Sequence, residues 1–271
     1  MKRALPVALT IAGSDSGGGA GIEMDLKVFS ALGVFGTCAI TALTAQNTEG
    51  VRAVWEVPPD FVREQIDAVL DDFPVRAIKT GMLSSEAVVQ AVIARMRQPG
   101  IPPLVVDPVV VAKDGTHLLS DAGIAAVRDD LLGLATIATP NIPEAEALSG
   151  MAIKSEEDVP RAAAKLRALG CTWVLVKGGH LGGPEVLDLL VGPEGEQALV
   201  SLRIAGGPFH GTGCALSAAL AAFLAQGHSI SDAAREATSF LHRLIGQAHA
   251  LGKGTLVVHP QSRDTDEERH E

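Results

Sequence analysis

Gly211-Thr212-Gly213-Cys214 sets two glycines at a spacing of two, immediately before an apolar helical run whose first turn holds the cysteine. Glycines in such a place let the backbone approach a ligand and aim N–H groups at it. The unpaired first-turn N–H groups and the helix dipole favour negative charge, so the loop reads as an anion hole. Cys214 lies where the same field favours a thiolate. Taken alone the pattern is weak, because a glycine pair before a packed helix is common and Cys214 is equally a small buried apolar residue.

Other residues complete a chemistry. Asn141 and Glu144 stand three apart at a helix start, and with Asp107 they offer the oxygen ligands that suit Mg²⁺, often through water. Lys177 closes a strand, and Gly13 to Gly21 forms a second glycine loop. Each has an ordinary reading: Glu144 complements a helix dipole, Lys177 is a strand-end lysine, Asp107-Pro108 makes a turn. As a set they match phosphoryl transfer, which needs anion donors, a hard cation and an oriented acceptor. Known local motifs fail. Gly252-Lys253-Gly254 is not a P-loop, and Leu216 stands where a dinucleotide fingerprint needs its third glycine.

The elements that must position these residues alternate. Strands are predicted at Val7 to Ala12, Gly36 to Leu43, Val51 to Val57, Ala77 to Thr80, Leu104 to Val106, Ala135 to Ala138 and Thr172 to Val176. The stretch Ala45 to Thr48 reads as a polar loop. Helices follow at Ile22 to Leu32, from Pro58-Pro59 to about Asp72, Ser84 or Ser85 to Arg97, Pro143 to Leu148 and, behind a capping box at Ser155 to Asp158, up to Leu169. A hairpin turns at Gly192 to Gly195, Ala215 to Gln226 is helical with Leu216, Leu220, Phe223 and Leu224 on one face, and Ser231 caps a last helix to about Leu251. Such alternation predicts α/β architecture: a Rossmann-like three-layer sandwich with a mostly parallel sheet and helices on both faces. Ligands bind beyond the carboxyl ends of such strands, where Gly13, Gln46, Gly81-Met82, Asp107, Asn141 and Lys177 all fall.

Composition bounds the partners. The chain is 47% hydrophobic and 20% charged, an ordinary globular make-up. A net charge of −10, 3% aromatics and no Tyr argue against nucleic-acid binding. Three sparse cysteines, Cys38, Cys171 and Cys214, fit neither a disulfide framework nor a zinc cluster, and point to a reducing cytoplasm. No apolar run is long enough to span a membrane, and the run Ala4 to Ala12 reads as a first strand rather than a signal peptide. Residues 1–260 are expected as one domain, and 261–271 as an acidic, solvated tail.

The motifs together resemble one family. Ala8 to Asp15 with Gly18-Gly19-Ala20-Gly21-Ile22 and Asp25-Leu26-Lys27, Ala39 to Thr48, Lys79-Thr80-Gly81-Met82-Leu83, Thr139 to Glu146, Val176 to His180 and His210 to Cys214 are similar, in order, to bacterial hydroxymethylpyrimidine/phosphomethylpyrimidine kinases of the ribokinase-like superfamily. The resemblance implies ATP-dependent phosphorylation of a pyrimidine alcohol and then of its monophosphate, for thiamine synthesis. It implies an anion hole of Gly211, Thr212 and Gly213, with Cys214 where most of the superfamily places a catalytic Asp. It implies ATP on Lys177, Asn141 and Thr212, Mg²⁺ at Glu144 and Asp107, and a pyrimidine pocket of Gly13, Asp25, Gln46, Met82 and Val109. Glu23-Met24 replaces the usual Gln-Ala, and Val110 a frequent Met. Dimers are common in the family, so a homodimer is a further expectation. Pyridoxal kinase activity among close relatives is the alternative, and a non-catalytic binder would have no need of Cys214.

Overall fold

The computed structural model describes residues 5–110 and 118–261; the expected tail from Ser262 lies outside them. From the N-terminus the elements are β1 (Val7–Ala12), α1 (Gly21–Ala31), β2 (Phe35–Ile40), β3 (Ala42–Asn47), β4 (Gly50–Glu56), α2 (Pro59–Leu70), β5 (Val75–Thr80), α3 (Glu86–Met96) and β6 (Leu104–Val106). Then come α4 (Asp121–Ala126), β7 (Ile137–Ala138), α5 (Ile142–Ser149), α6 (Val159–Ala168), β8 (Trp173–Val176), β9 (Glu185–Gly192) and β10 (Gly195–Leu202). The chain closes with β11 (Phe209–His210), α7 (Thr212–Ala225), α8 (Ile230–Gly246) and β12 (Leu256–Val257).

Eight strands make the central sheet in the order β10-β9-β8-β7-β6-β5-β1-β2. Pairing is parallel from β2 through β8, and antiparallel for the β8–β9 and β9–β10 pairs. Successive side chains point to opposite faces, and here both faces are covered. Leu9, Ile11, Ile78, Val106, Ala138, Val174 and Val176 face one core with α2 to α6. Ala8, Ala77, Val105, Ile137 and Leu175 face the other with α1, α7 and α8. The three expected layers are present. Order reverses at β1, between β2 and β5, which makes this the switch point where a crevice opens.

Every residue from Ala215 to Ala225 is buried, not only the leucine face seen in the sequence. A helix apolar all round is a core helix. Small alanines let α7 lie close to α1, α8 and the sheet at once.

Four local expectations change. The strand predicted from Gly36 to Leu43 breaks at Thr41, and Ala45 to Asn47 is strand rather than loop: β3 pairs antiparallel with β4 in a separate hairpin. Its polar residues misled because one face looks into a cavity and not into a core. The Asn47 side chain accepts the N–H groups of Glu49 and Gly50 and closes the turn. The capping box belongs to Asn141 and Glu144 of α5, where both reciprocal bonds form, and not to Ser155, whose side chain caps nothing. Ser229, not Ser231, caps α8, accepting from Asp232 N at 3.1 Å, and the helix ends at Gly246, short of Leu251.

Candidate active site

The ends of the parallel strands and the N-terminus of α7 surround one cavity of about 1020 Å³. Gly13, Gln46, Met82, Asp107, Val109, Asn141, Glu144, Lys177, Gly211, Thr212, Gly213 and Cys214 all line it. Of the residues anticipated from the sequence, only Asp25 does not. It is fully buried behind the wall, bound to Lys79 Nζ at 2.7 Å and to Thr10 Oγ1 at 2.6 Å, and Lys79 is the member of that pair that reaches the cavity.

The two glycines before α7 do different work. Gly211 has φ +82°, and a Cβ there would meet Gly19 O at 1.8 Å. Only glycine fits both the conformation and the contact. Gly213 is unstrained; a Cβ there would stand 3.5 Å from Lys177 Nζ and 3.7 Å from Asp107 Oδ2, in the space before the helix end. The first-turn N–H groups of Thr212, Gly213 and Cys214 have no turn above them to bond.

Facing that turn is a charged group. Lys177 Nζ lies 3.0 Å from Asp107 Oδ1 and 3.7 Å from Glu144 Oε2. The Thr139 hydroxyl donates to Asp107 Oδ1 at 3.2 Å, and Ser217 Oγ lies 3.1 Å from Asp107 Oδ2, which ties α7 to the end of β6. Burial would raise the Asp107 pKa, but Lys177 and then Lys79 outweigh it and hold the carboxyl below its usual range. Burial wins at Glu144, which is pushed up to about 7 despite Lys177. Lys177 is held above the ordinary amine value, since its two carboxylates outweigh burial.

Cys214 corrects the expectation of a thiolate. Burial pushes its pKa up to about 11, against the lowering by Lys79 and the Gly21 N–H, and Asp25 and Asp107 add to the rise. The helix end does not overcome desolvation, so the resting group is a thiol.

Across the cavity, Gly13 N bonds Met82 O at 3.1 Å, and a Cβ on Gly13 would sit 2.2 Å from the Met82 methyl. Gln46, on β3, accepts from Thr44 Oγ1 at 3.2 Å, and its Nε2 is 3.3 Å from His210 Nε2. His210 Nε2 in turn lies 2.9 Å from Asp15 Oδ2. Asp15 gathers the first glycine loop: its carboxylate accepts from Gly17, Gly19 and Ala20 N at 2.8, 3.0 and 2.9 Å. Burial would raise its pKa, and the bonds from His210 and Gly17 bring it below the usual carboxylate value. Its own N–H donates to Glu23 Oε2 at 2.7 Å.

Sequence reasoning passed over Asp15, Lys79, Asp188, Arg203, His210 and Ser217, of which all but Ser217 line the cavity. Two carried a signal. Asp15 is a lone carboxylate inside a run of glycines, and Lys79 is a charge inside an apolar strand. Ser217 and Asp188 gave none, because each becomes polar machinery only when a distant element arrives.

The chain as a whole is similar to known proteins. The chain is 46% identical over 249 residues to the hydroxymethylpyrimidine/phosphomethylpyrimidine kinase of Streptomyces coelicolor, covering 92% of each. It is 45% identical over 246 residues to the thiamine biosynthesis bifunctional protein of Geobacter sulfurreducens, and spans 50% of that longer protein. Among solved structures, Bacillus subtilis pyridoxal kinase in complex with ADP superposes with a TM-score of 0.90 at 34% identity, over 97% of this chain and 100% of that one. Phosphomethylpyrimidine kinase from Clostridium difficile gives 0.79 at 41% identity, over 88% and 99%. The fold is thus ribokinase-like, and because residues 15–259 match the family described as phosphomethylpyrimidine kinase, the chain belongs to that family.

Proposed function

We propose that the chain transfers the γ-phosphoryl group of ATP to the hydroxymethyl oxygen of 4-amino-5-hydroxymethyl-2-methylpyrimidine, and a second phosphoryl group to the monophosphate so formed, for thiamine diphosphate synthesis. The observation that carries it is the open first turn of α7, flanked by Lys177 and Cys214 inside one cavity. Phosphoryl transfer asks mainly for positioned charge, which the N–H groups of Thr212 to Cys214 and the Lys177 ammonium supply. The alcohol oxygen attacks phosphorus, ADP leaves, and the alcohol proton departs late in a loose transition state. Only the thiolate form of Cys214 can take that proton, and with a thiol at rest it is the minor form, so the transfer comes late. Asp107 and Glu144 already share Lys177, and Glu144 also accepts from Asn141 N. That donor set fits a Mg²⁺ that keeps most of its water and arrives with the nucleotide, with Asn141, Glu144 and Asp107 as its protein partners. Bound there, the cation would neutralise charge on the phosphate oxygens.

Gln46 supports the choice of acceptor. Its amide offers an acceptor and a donor in one plane, the complement of an aminopyrimidine edge. The second reading is a pyridoxal kinase, favoured by the closer superposition on that structure. Steady-state assays with both alcohols decide. A higher kcat/KM on pyridoxal would overturn the first reading. Gln46→Leu should raise the KM for the aminopyrimidine roughly tenfold, since one such lost hydrogen bond costs about 1–3 kcal/mol. It should leave the KM for ATP unchanged and narrow the preference over pyridoxal, which lacks the amino group.

The cytoplasmic setting and the homodimer remain part of this reading. Among the described residues no helix is long and apolar enough to cross a membrane. The hairpin β3–β4 exposes Leu43 and Trp55 side by side on one face, an apolar patch of the kind a second copy covers. Sedimentation at a single monomer mass would refute the dimer.

A further inference from the structure

The cavity extends past Lys177 toward β9, β10 and α8, away from Gln46 and Met82. An in-line transfer sets donor and acceptor on opposite sides of the anion hole, so this far half takes the nucleotide. Its near wall is the connection from β8 to β9, which contains Gly178, Gly179, Gly182 and Gly183, four of its positions having no side chain to hold its shape. Asp188 pins the start, accepting from Gly178 N at 2.8 Å. Leu181 packs against one of the cores and its N–H bonds Gly178 O at 3.0 Å, and most of the loop's outward carbonyls go to one residue. Arg203, just beyond β10, donates from Nε to Gly183 O at 2.8 Å and from Nη1 to Gly179 O at 3.0 Å. Its Nη2 reaches both Leu181 O and Glu185 O, the latter at 3.4 Å, and its backbone N bonds Pro184 O at 2.9 Å. The planar guanidinium has five donors in a fixed fork, and here four bonds run to carbonyls of one loop. Arg203 forms no ion pair among the described residues.

We propose that Arg203 is a positioning residue for the nucleotide: it chelates the carbonyls of residues 179–185 and holds that glycine-rich wall in its binding shape before ATP arrives. An ordered loop spares the ligand the entropy of ordering it, so the residue acts on nucleotide affinity and not on the acceptor. The inference rests on the kinase reading only in taking the far half as the nucleotide site.

The full-length chain tests it with ADP as the probe. Arg203→Met should weaken ADP binding, measured by calorimetry, about tenfold, the effect of one to two net hydrogen bonds. It should leave the KM for the alcohol unchanged. Arg203→Lys keeps the charge but cannot fork, so it should fail to rescue. A protease that cuts before leucine reports the loop directly: the His180–Leu181 bond should resist cleavage in nucleotide-free wild type and be cut about tenfold faster in both variants, as opening becomes more populated. Full rescue by lysine would make the role simple charge and overturn the proposal. So would unchanged ADP affinity alongside faster cleavage, or a wild-type loop that is cut readily until ADP is added. The last measurement needs no variant, so a misfolded mutant does not protect the idea. Wild type that binds ADP yet phosphorylates neither alcohol would defeat the functional reading and leave this test standing.

Discussion

Two glycine loops meet in this molecule, Gly13 to Gly21 before α1 and Gly211 to Cys214 before α7, and they do opposite things. Each runs from a strand end into a helix, and each looks like an anion cradle in the sequence. In the first, Asp15 has already taken the N–H groups of Gly17, Gly19 and Ala20, and it brings its own negative charge. In the second, no side chain caps the helix, and Gly211 as N-cap leaves the first turn open. A glycine loop cradles a ligand only where no acidic side chain fills it. The filled loop then becomes framework: its Gly19 carbonyl presses against Gly211, and its Gly21 N–H faces the Cys214 sulfur.

The comparison breaks most visibly at the contact between the loops. Gly211→Ala puts a methyl where Gly19 O stands and forces a left-handed φ on alanine. Thermal unfolding should show a loss of roughly 3 kcal/mol or more, combining strain of about 1–3 kcal/mol with the clash. Gly213 makes the contrast. Gly213→Val should leave the melting temperature nearly unchanged, yet lower kcat about 10²–10³-fold by filling the anion hole. Equal melting losses at the two glycines would end the distinction.

Cys214→Ala is the next largest. A positioned base contributes about 10²–10⁴-fold; only the thiolate can accept the proton, and with the pKa raised to about 11 that form is scarce, which puts Cys214 at the low end of the range. Phosphorylation of the alcohol should slow about 10²-fold, while the second step, whose acceptor oxygen is already ionised, should be spared. Matching losses on both acceptors would assign the thiol to positioning alone.

Asp15→Asn should have the smallest effect, on stability more than on rate. Asp15 has a folded pKa below its ordinary value, so its contribution is present above about pH 4 and is lost as pH falls through the folded pKa. Wild type and variant should differ by about 1–3 kcal/mol at neutral pH and converge in acid. A difference that stays constant down to pH 2 would mean that the carboxylate charge is not what gathers the loop.

The sequence made the sheet legible because buried parallel strands are short apolar runs, and it made their carboxyl ends legible because polarity begins there. Asp107, Asn141 and Lys177 were found in this way. The hairpin β3–β4 was half missed, since Thr44 and Gln46 are polar in a strand whose inner face is a cavity. Asp25 was placed one layer too near the ligand: a strand-and-helix pattern gives a residue's face but not its depth, and Lys79 occupies the space in front of it. The thiolate at Cys214 failed for a related reason. Helix-end fields can be read from sequence, whereas desolvation depends on what distant elements bring alongside, here Lys79, Asp25 and Asp107 among them.

The burial of α7 from Ala215 onward has a consequence far from any of these side chains. Its 14 residues span about 21 Å, and the end that carries Gly213 is in one piece with the end that packs under Gln226. The helix behaves as a rod clamped along its length by alanine methyls, with the reaction centre at its tip. Interiors transmit strain rather than absorb it. A methylene added at Ala219 or Ala222, deep in the hydrocarbon, therefore shows up as axial play at the tip, where a displacement of about 1 Å can cost about 100-fold in rate. For this chain, tuning the core and tuning the catalyst are the same operation, and variants selected for thermostability around α7 will carry shifted turnover numbers even when no cavity residue has changed.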